Sequence, residues 1–139
     1  QYTTMCAPHM LQHGAIEALR NTYHEVESMR RSYRRRRNYI VQSLNNIGLD
    51  CHTPGGAFYV FPSIKSTGMT SEQFAEELLL AEKVAVVPGS AFGESGEGYV
   101  RCSYATSLEQ LQEAVKRIER FMNSLKQKEN RAEELYSNN

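Results

Sequence analysis

Three short aromatic and β-branched stretches limit what this chain can fold into: Ala57-Phe58-Tyr59-Val60-Phe61, Val84-Ala85-Val86-Val87 and Tyr99-Val100-Arg101-Cys102-Ser103-Tyr104. Their composition is that of strands. Pro54-Gly55-Gly56, Pro88-Gly89 and Gly98 punctuate them as turn signals. So little strand cannot stand alone in water and needs helices packed on a hydrophobic face. The rest of the chain supplies them. Expected is an α+β fold, a small sheet of about three strands with helices packed on one face and the other face partly open.

The helical segments follow from apolar spacing and caps. A first helix is expected over residues 8–19, with Pro8 in the first turn, where its missing N–H costs nothing. A long helix over 23–46 carries Val26, Met29, Tyr33, Ile40, Leu44 and Ile47 at helical spacings, with Gly48 as its stop. A third helix, from Ser71 to about Ala81, has Thr70 and Gln73 placed for a capping box and Met69 placed to staple Phe74. The last opens at Ser107 with Gln110 in the reciprocal position, and buries Leu108, Leu111, Val115, Ile118, Met122 and Leu125. The charged tail from Lys126 is expected to fray.

A length of 139 residues suits one compact domain with a real core. The formal net charge of zero argues against a broad electrostatic preference for nucleic acid or anionic membrane. No apolar run reaches the roughly 20 residues that span a bilayer, and the first residues lack a signal-peptide layout. They also lack an initiating methionine and begin in mid-pattern, as expected of a fragment or a processed chain. Cys6, Cys51 and Cys102 form no CxxC pair and read as small buried hydrophobes with reduced thiols in a cytoplasmic protein.

Several residues invite chemical readings. His9 and His13, four apart on a helix, have zinc-ligand spacing, but no further ligand completes a set, so no metal is expected. The arginines from Arg30 to Arg37 spread around their helix as a solvated surface rather than a nucleic-acid stripe. Glu27 is placed to pair with Arg30 or Arg31. Arg37 falls inside the apolar stripe and is expected to make a specific contact. Gly93, Gly96 and Gly98 form a glycine-rich loop, but it leads into a strand and lacks a P-loop lysine. Arg101 is the most informative residue. Alternation puts it on one strand face with Tyr99 and Ser103, opposite Val100 and Cys102. It serves either as a structural ion pair or as a planar fork that binds a carboxylate.

The segments Pro54 to Pro62, Val86 to Gly93 and Gly96 to Ala105 resemble, in order and spacing, three motifs of the small domain of class I/II, fold-type-I aminotransferases that use pyridoxal 5′-phosphate. The resemblance runs from about Gln1 to Met122 and is nearest the aromatic and N-acetyl-diaminopimelate branch. It implies residues 1–22 as the end of an interdomain segment, 23–125 as the C-terminal small domain and 126–139 as a charged tail. It also implies that Arg101 grips the substrate α-carboxylate, that Phe58 borders the substrate, and that the glycine-rich loop flanks the entrance.

The family's catalytic lysine stands in a Ser-x-x-Lys stretch, and none occurs here. The resemblance places that lysine and the cofactor-binding residues in a large domain outside this chain. The implied whole is a cytoplasmic homodimer acting on amino and keto acids, without nucleic-acid or membrane partners. Isolated, this part would be inactive. The alternatives are a related lyase or synthase, or a non-catalytic interaction module using the arginine-rich helix.

Overall fold

The computed structural model describes residues 6–137. Its elements run α1 (His9–Asn21), α2 (Tyr23–Ile47), β1 (Tyr59–Val60), α3 (Ser71–Glu82), β2 (Val87–Pro88), β3 (Val100–Ser103) and α4 (Leu108–Ser137), with 3-10 turns at Lys65–Thr67, Gly89–Phe92 and Glu94–Gly96. Packing divides the chain into two compact units, the boundary falling after Arg34, inside α2.

The first unit holds α1 and the start of α2. None of its described residues is buried. Met10 and Leu19 are 84% and 89% exposed. Glu27 takes both Nε and Nη2 of Arg30, at 2.7 and 2.6 Å, which is the predicted pairing.

The second unit carries the sheet. Its order is β1-β3-β2 and both pairings are antiparallel, with Tyr59 opposite Ser103 and Val87 opposite Arg101. Successive strand residues face opposite ways. Val60, Val100 and Cys102 are therefore buried, together with Ile40 and Leu44 from α2, Phe74 and Leu78 from α3, and Leu111, Val115 and Ile118 from α4. Phe74 meets Phe121 edge-to-face at 5.4 Å. Tyr59, Arg101 and Ser103 stay partly or fully exposed on the other face. This is the expected α+β arrangement.

The caps explain where the helices begin and end. Thr70 and Gln73 form the complete capping box. At α4 only half of one forms: Ser107 Oγ accepts from the Gln110 amide at 3.3 Å, while the Gln110 side chain accepts from the Thr106 hydroxyl at 2.8 Å. Gly48, at φ +94°, ends α2 in the left-handed region that glycine enters without strain.

Several expectations need correction. The strands are shorter than their composition suggests. Ala57 sits at φ +65°, so β1 cannot begin before it. The second strand starts only at Val87 and includes Pro88, tolerated because β2 is an edge. The stretch from Lys126 continues α4 to Ser137, consistent with its run of strong helix formers. Cys51 and Cys102 are buried, but Cys6 is exposed, ahead of α1 in the unit without buried residues.

Candidate functional site

Arg101 lies on the central strand. Val100 and Cys102 anchor the strand in the core, and alternation turns Arg101 toward the open face. Its Cζ lies 4.9 Å from the centre of the Phe92 ring and 5.4 Å from that of Tyr59. Both rings hold the half-buried cation by their π faces. Among the described residues the guanidinium makes no hydrogen bond and no ion pair. A structural ion pair, the bland alternative, thus has no acid there to pair with. What is left is a preoriented planar fork whose donors suit a carboxylate from outside.

Aromatic side chains frame it. Phe61 stacks on Tyr99 at 5.9 Å and meets Phe92 edge-on at 5.8 Å. Phe58 is 53% exposed, and its ring packs edge-on against Tyr59 at 5.5 Å. Phe58 thus packs on Tyr59, one of the two rings over Arg101. Its carbonyl accepts from the Tyr104 amide at 2.8 Å, which fixes the end of the β1–β3 pair. Tyr104 is buried, and its hydroxyl donates to the Ala57 carbonyl at 2.9 Å, holding the left-handed turn before β1.

The loop between β2 and β3 is closed on itself. Gly89 and Gly96 touch so tightly that a Cβ on either would collide with the other's carbonyl oxygen. The amides of Gly93, Gly96 and Glu97 donate to the carbonyls of Ser90, Gly93 and Glu94. Three of the loop's amides are thus spent within the loop, and that of Ser90 donates to Ser71 Oγ. Glu97 turns back onto the start of α3. There its carboxylate accepts the Ser71 amide and hydroxyl, each at 2.8 Å. These bonds from Ser71, backbone first, hold the Glu97 carboxyl below the ordinary glutamate range.

The remaining candidates separate cleanly. His9 and His13 share one hydrogen bond at 3.1 Å, and no group of three or more metal-ligating side chains occurs among the described residues. Burial pushes the Cys51 thiol up to about 11 and that of Cys102 up to about 12, so neither is a nucleophile near neutral pH. Arg37 does make the expected specific contact, donating from Nη1 to the Pro54 carbonyl at 3.3 Å. An open groove of about 510 Å³ lies beside Ser103, between Ala85 and the Gln110–Arg117 face of α4. No helix among the described residues is long and apolar enough to cross a membrane.

Sequence reasoning singled out Arg101 but missed Phe92, Tyr59 and the Glu97–Ser71 contact. Tyr59 was findable, since it alternates onto Arg101's face. Phe92 and Glu97 lie in a loop with no periodicity to place them.

Comparison with known proteins bears on this geometry. The family model for aminotransferases of class I and II matches residues 2–118. A Bacillus subtilis protein named as an aminotransferase, YugH, is 70% identical over 122 residues, covering 88% of this chain and 32% of that protein. An aspartate aminotransferase of Pyrococcus abyssi is 50% identical over 127 residues, covering 90% of this chain and 33% of its own length. Among solved structures, an aromatic aminotransferase from Pyrococcus horikoshii superposes with a TM-score of 0.86 at 48% identity, covering 90% of this chain and 34% of that one. The chain thus spans about a third of the length of these relatives, and it corresponds to their C-terminal part.

Enzymes of the matched family depend on pyridoxal 5′-phosphate. Lys65 lies over the Tyr99 ring at 4.8 Å, and Lys83 donates to the Leu80 carbonyl at 3.0 Å. Neither makes a contact with Arg101. With the motif order, the sheet and the helical cover all matching, this chain belongs to the class I and II aminotransferase family.

Proposed function

We propose that the intact polypeptide is a pyridoxal-phosphate-dependent aminotransferase, and that this chain provides its grip on the substrate α-carboxylate through Arg101. The reaction is exchange of an amino group between an α-amino acid and an α-keto acid such as 2-oxoglutarate. The observation that carries the reading is an arginine on the central strand, held by two rings and given no acid of its own among the described residues.

When bound, the cofactor supplies the electron sink. This chain's contribution is orientation. Two parallel hydrogen bonds from Arg101 fix the carboxylate, and with it the direction of the Cα–H bond. The rings of Tyr59 and Phe92 keep water off the guanidinium, which strengthens both bonds. Phe58, one ring further out, borders the substrate. The lysine and the cofactor ligands belong to the large domain of the same polypeptide, and the reading includes a cytoplasmic homodimer. The chain by itself should neither hold the cofactor at one defined lysine nor exchange amino groups.

The test is kinetic. In the full-length enzyme, Arg101→Ala should lower kcat/KM by about 3–5 kcal/mol, roughly a hundred- to several-thousand-fold, from the loss of two charge-assisted hydrogen bonds. Arg101→Lys should recover part, since it keeps the charge and loses the fork. Melting temperature and cofactor loading should stay near the parent's. A folded, loaded Ala variant working within a few-fold of the parent removes Arg101 from the site. Elimination or decarboxylation in place of amino-group exchange, across a panel of donors, identifies a related lyase instead.

A further inference from the structure

Glu97 occupies the place where an anion would sit at the start of α3. The first amides of a helix lack intrahelical partners and favour negative charge. Here the protein's own carboxylate fills that position, taking the Ser71 amide and hydroxyl at 2.8 Å each. Ser71 is fully buried, and its Oγ also accepts from the Ser90 amide at 3.3 Å. One serine thus ties down the glycine-rich loop at Ser90 and again at Glu97. Phe92 lies between these two anchors and covers Arg101 at 4.9 Å.

We propose that Glu97, acting through Ser71 and the loop, is a positioning residue for substrate binding: it locks the 89–98 segment onto α3 so that Phe92 holds Arg101 in its carboxylate-binding pose. This rests on the assignment of Arg101 as the carboxylate grip. The Gly89–Gly96 contact lets the loop close, and Glu97 decides where the closed loop sits. Without Glu97 the loop samples positions in which Phe92 leaves the guanidinium. Apparent affinity then falls by the fraction of molecules that remain competent. Once substrate is bound, its own carboxylate restores the pose, so the loss falls on KM rather than on kcat.

In the full-length, cofactor-loaded enzyme, Glu97→Ala should raise KM for the amino-acid substrate about tenfold and leave kcat within about threefold. Glu97→Gln keeps a carbonyl oxygen for the Ser71 amide and should fall between parent and Ala. Phe92→Ala should raise KM in the same direction, and the Glu97→Ala/Phe92→Ala pair should add little beyond either change alone, because both act by one route. A helix cap with no bearing on binding would lower melting temperature and leave KM alone.

The proposal is overturned if KM in Glu97→Ala stays within about twofold of the parent while Arg101→Ala is crippled, or if the Glu97→Ala and Phe92→Ala changes add fully. Should the Ala variant not fold, Glu97→Gln decides on the same readout, a parental KM counting against. Arg101→Ala at parental kcat/KM would remove the assignment beneath it, a failure distinct from that of Glu97 alone.

Discussion

The two halves of α2 have similar sequence patterns and opposite supports. In the first unit Tyr23, Val26 and Met29 are 73%, 52% and 55% exposed, although they recur at helical spacing. In the second, Ile40, Val41, Leu44 and Ile47 continue the same stripe and none is more than 9% exposed. The early half rests on local interactions such as Glu27 with Arg30, and pairs of that kind give about 0.2–0.5 kcal/mol. The later half rests on burial in the core of the second unit. Periodicity therefore reports that a helix forms and which side is apolar. It does not report whether anything covers that side.

The contrast breaks first, and most heavily, in the core. Phe74→Ala should destabilise the chain by about 3–5 kcal/mol, because Phe74 is 1% exposed and packed on Phe121. Leu19→Ala should change stability by under about 0.5 kcal/mol, being a surface change to the best helix former. Urea titrations followed by circular dichroism compare them directly. Equal costs would mean that the first unit is supported as the second is.

Amide exchange sharpens the comparison inside one helix. Amides around Ile40–Ile47 should open only with the core, while those around Val26–Arg30 open locally, a difference on the order of a hundredfold in protection. Uniform protection along α2 would erase the distinction.

The smallest effect is electrostatic. Glu27 and Glu97 both have carboxyls held below the ordinary glutamate range, Glu27 by Arg30 and Glu97 by the bonds from Ser71. A lowered folded pKa contributes stability that is complete above the unfolded value and disappears as pH falls through the folded one. Both contributions should therefore fade on acidification below the normal glutamate range. Salt should separate them: added chloride weakens the exposed ion pair of Glu27 and leaves the neutral-donor bonds of Glu97 nearly intact. Acid titrations of Glu27→Gln and Glu97→Gln at low and high salt check this, and the same salt response at both sites would refute it.

The sequence exposes the fold through residues that act locally. Thr70 and Gln73 announce α3, Gly48 ends α2, and the alternation from Tyr99 to Ser103 turns Arg101 away from the core. It is silent where the cause lies far along the chain. Ala57 shortens β1 because the Tyr104 hydroxyl fastens its carbonyl, a contact between distant residues that no local propensity encodes. Phe92 covers Arg101 only because two glycines let the loop fold back and Glu97 ties it to α3. The family resemblance is likewise carried by motifs containing Arg101 and the loop, while the aromatic cover is set by three-dimensional packing.

The strand order β1-β3-β2 also has a consequence for synthesis. The central strand is the last of the three to leave the ribosome. Until Val100–Ser103 emerges, Tyr59–Val60 and Val87–Pro88 have no strand between them and cannot pair as they do in the finished sheet. The β2–β3 hairpin closes the shorter loop and has the smaller entropic barrier, with β1 docking afterwards across the whole of α3. The strand that carries Arg101 is thus the one whose arrival allows the sheet to form, and a nascent chain stalled before Val100 would present two unpaired edges to its neighbours.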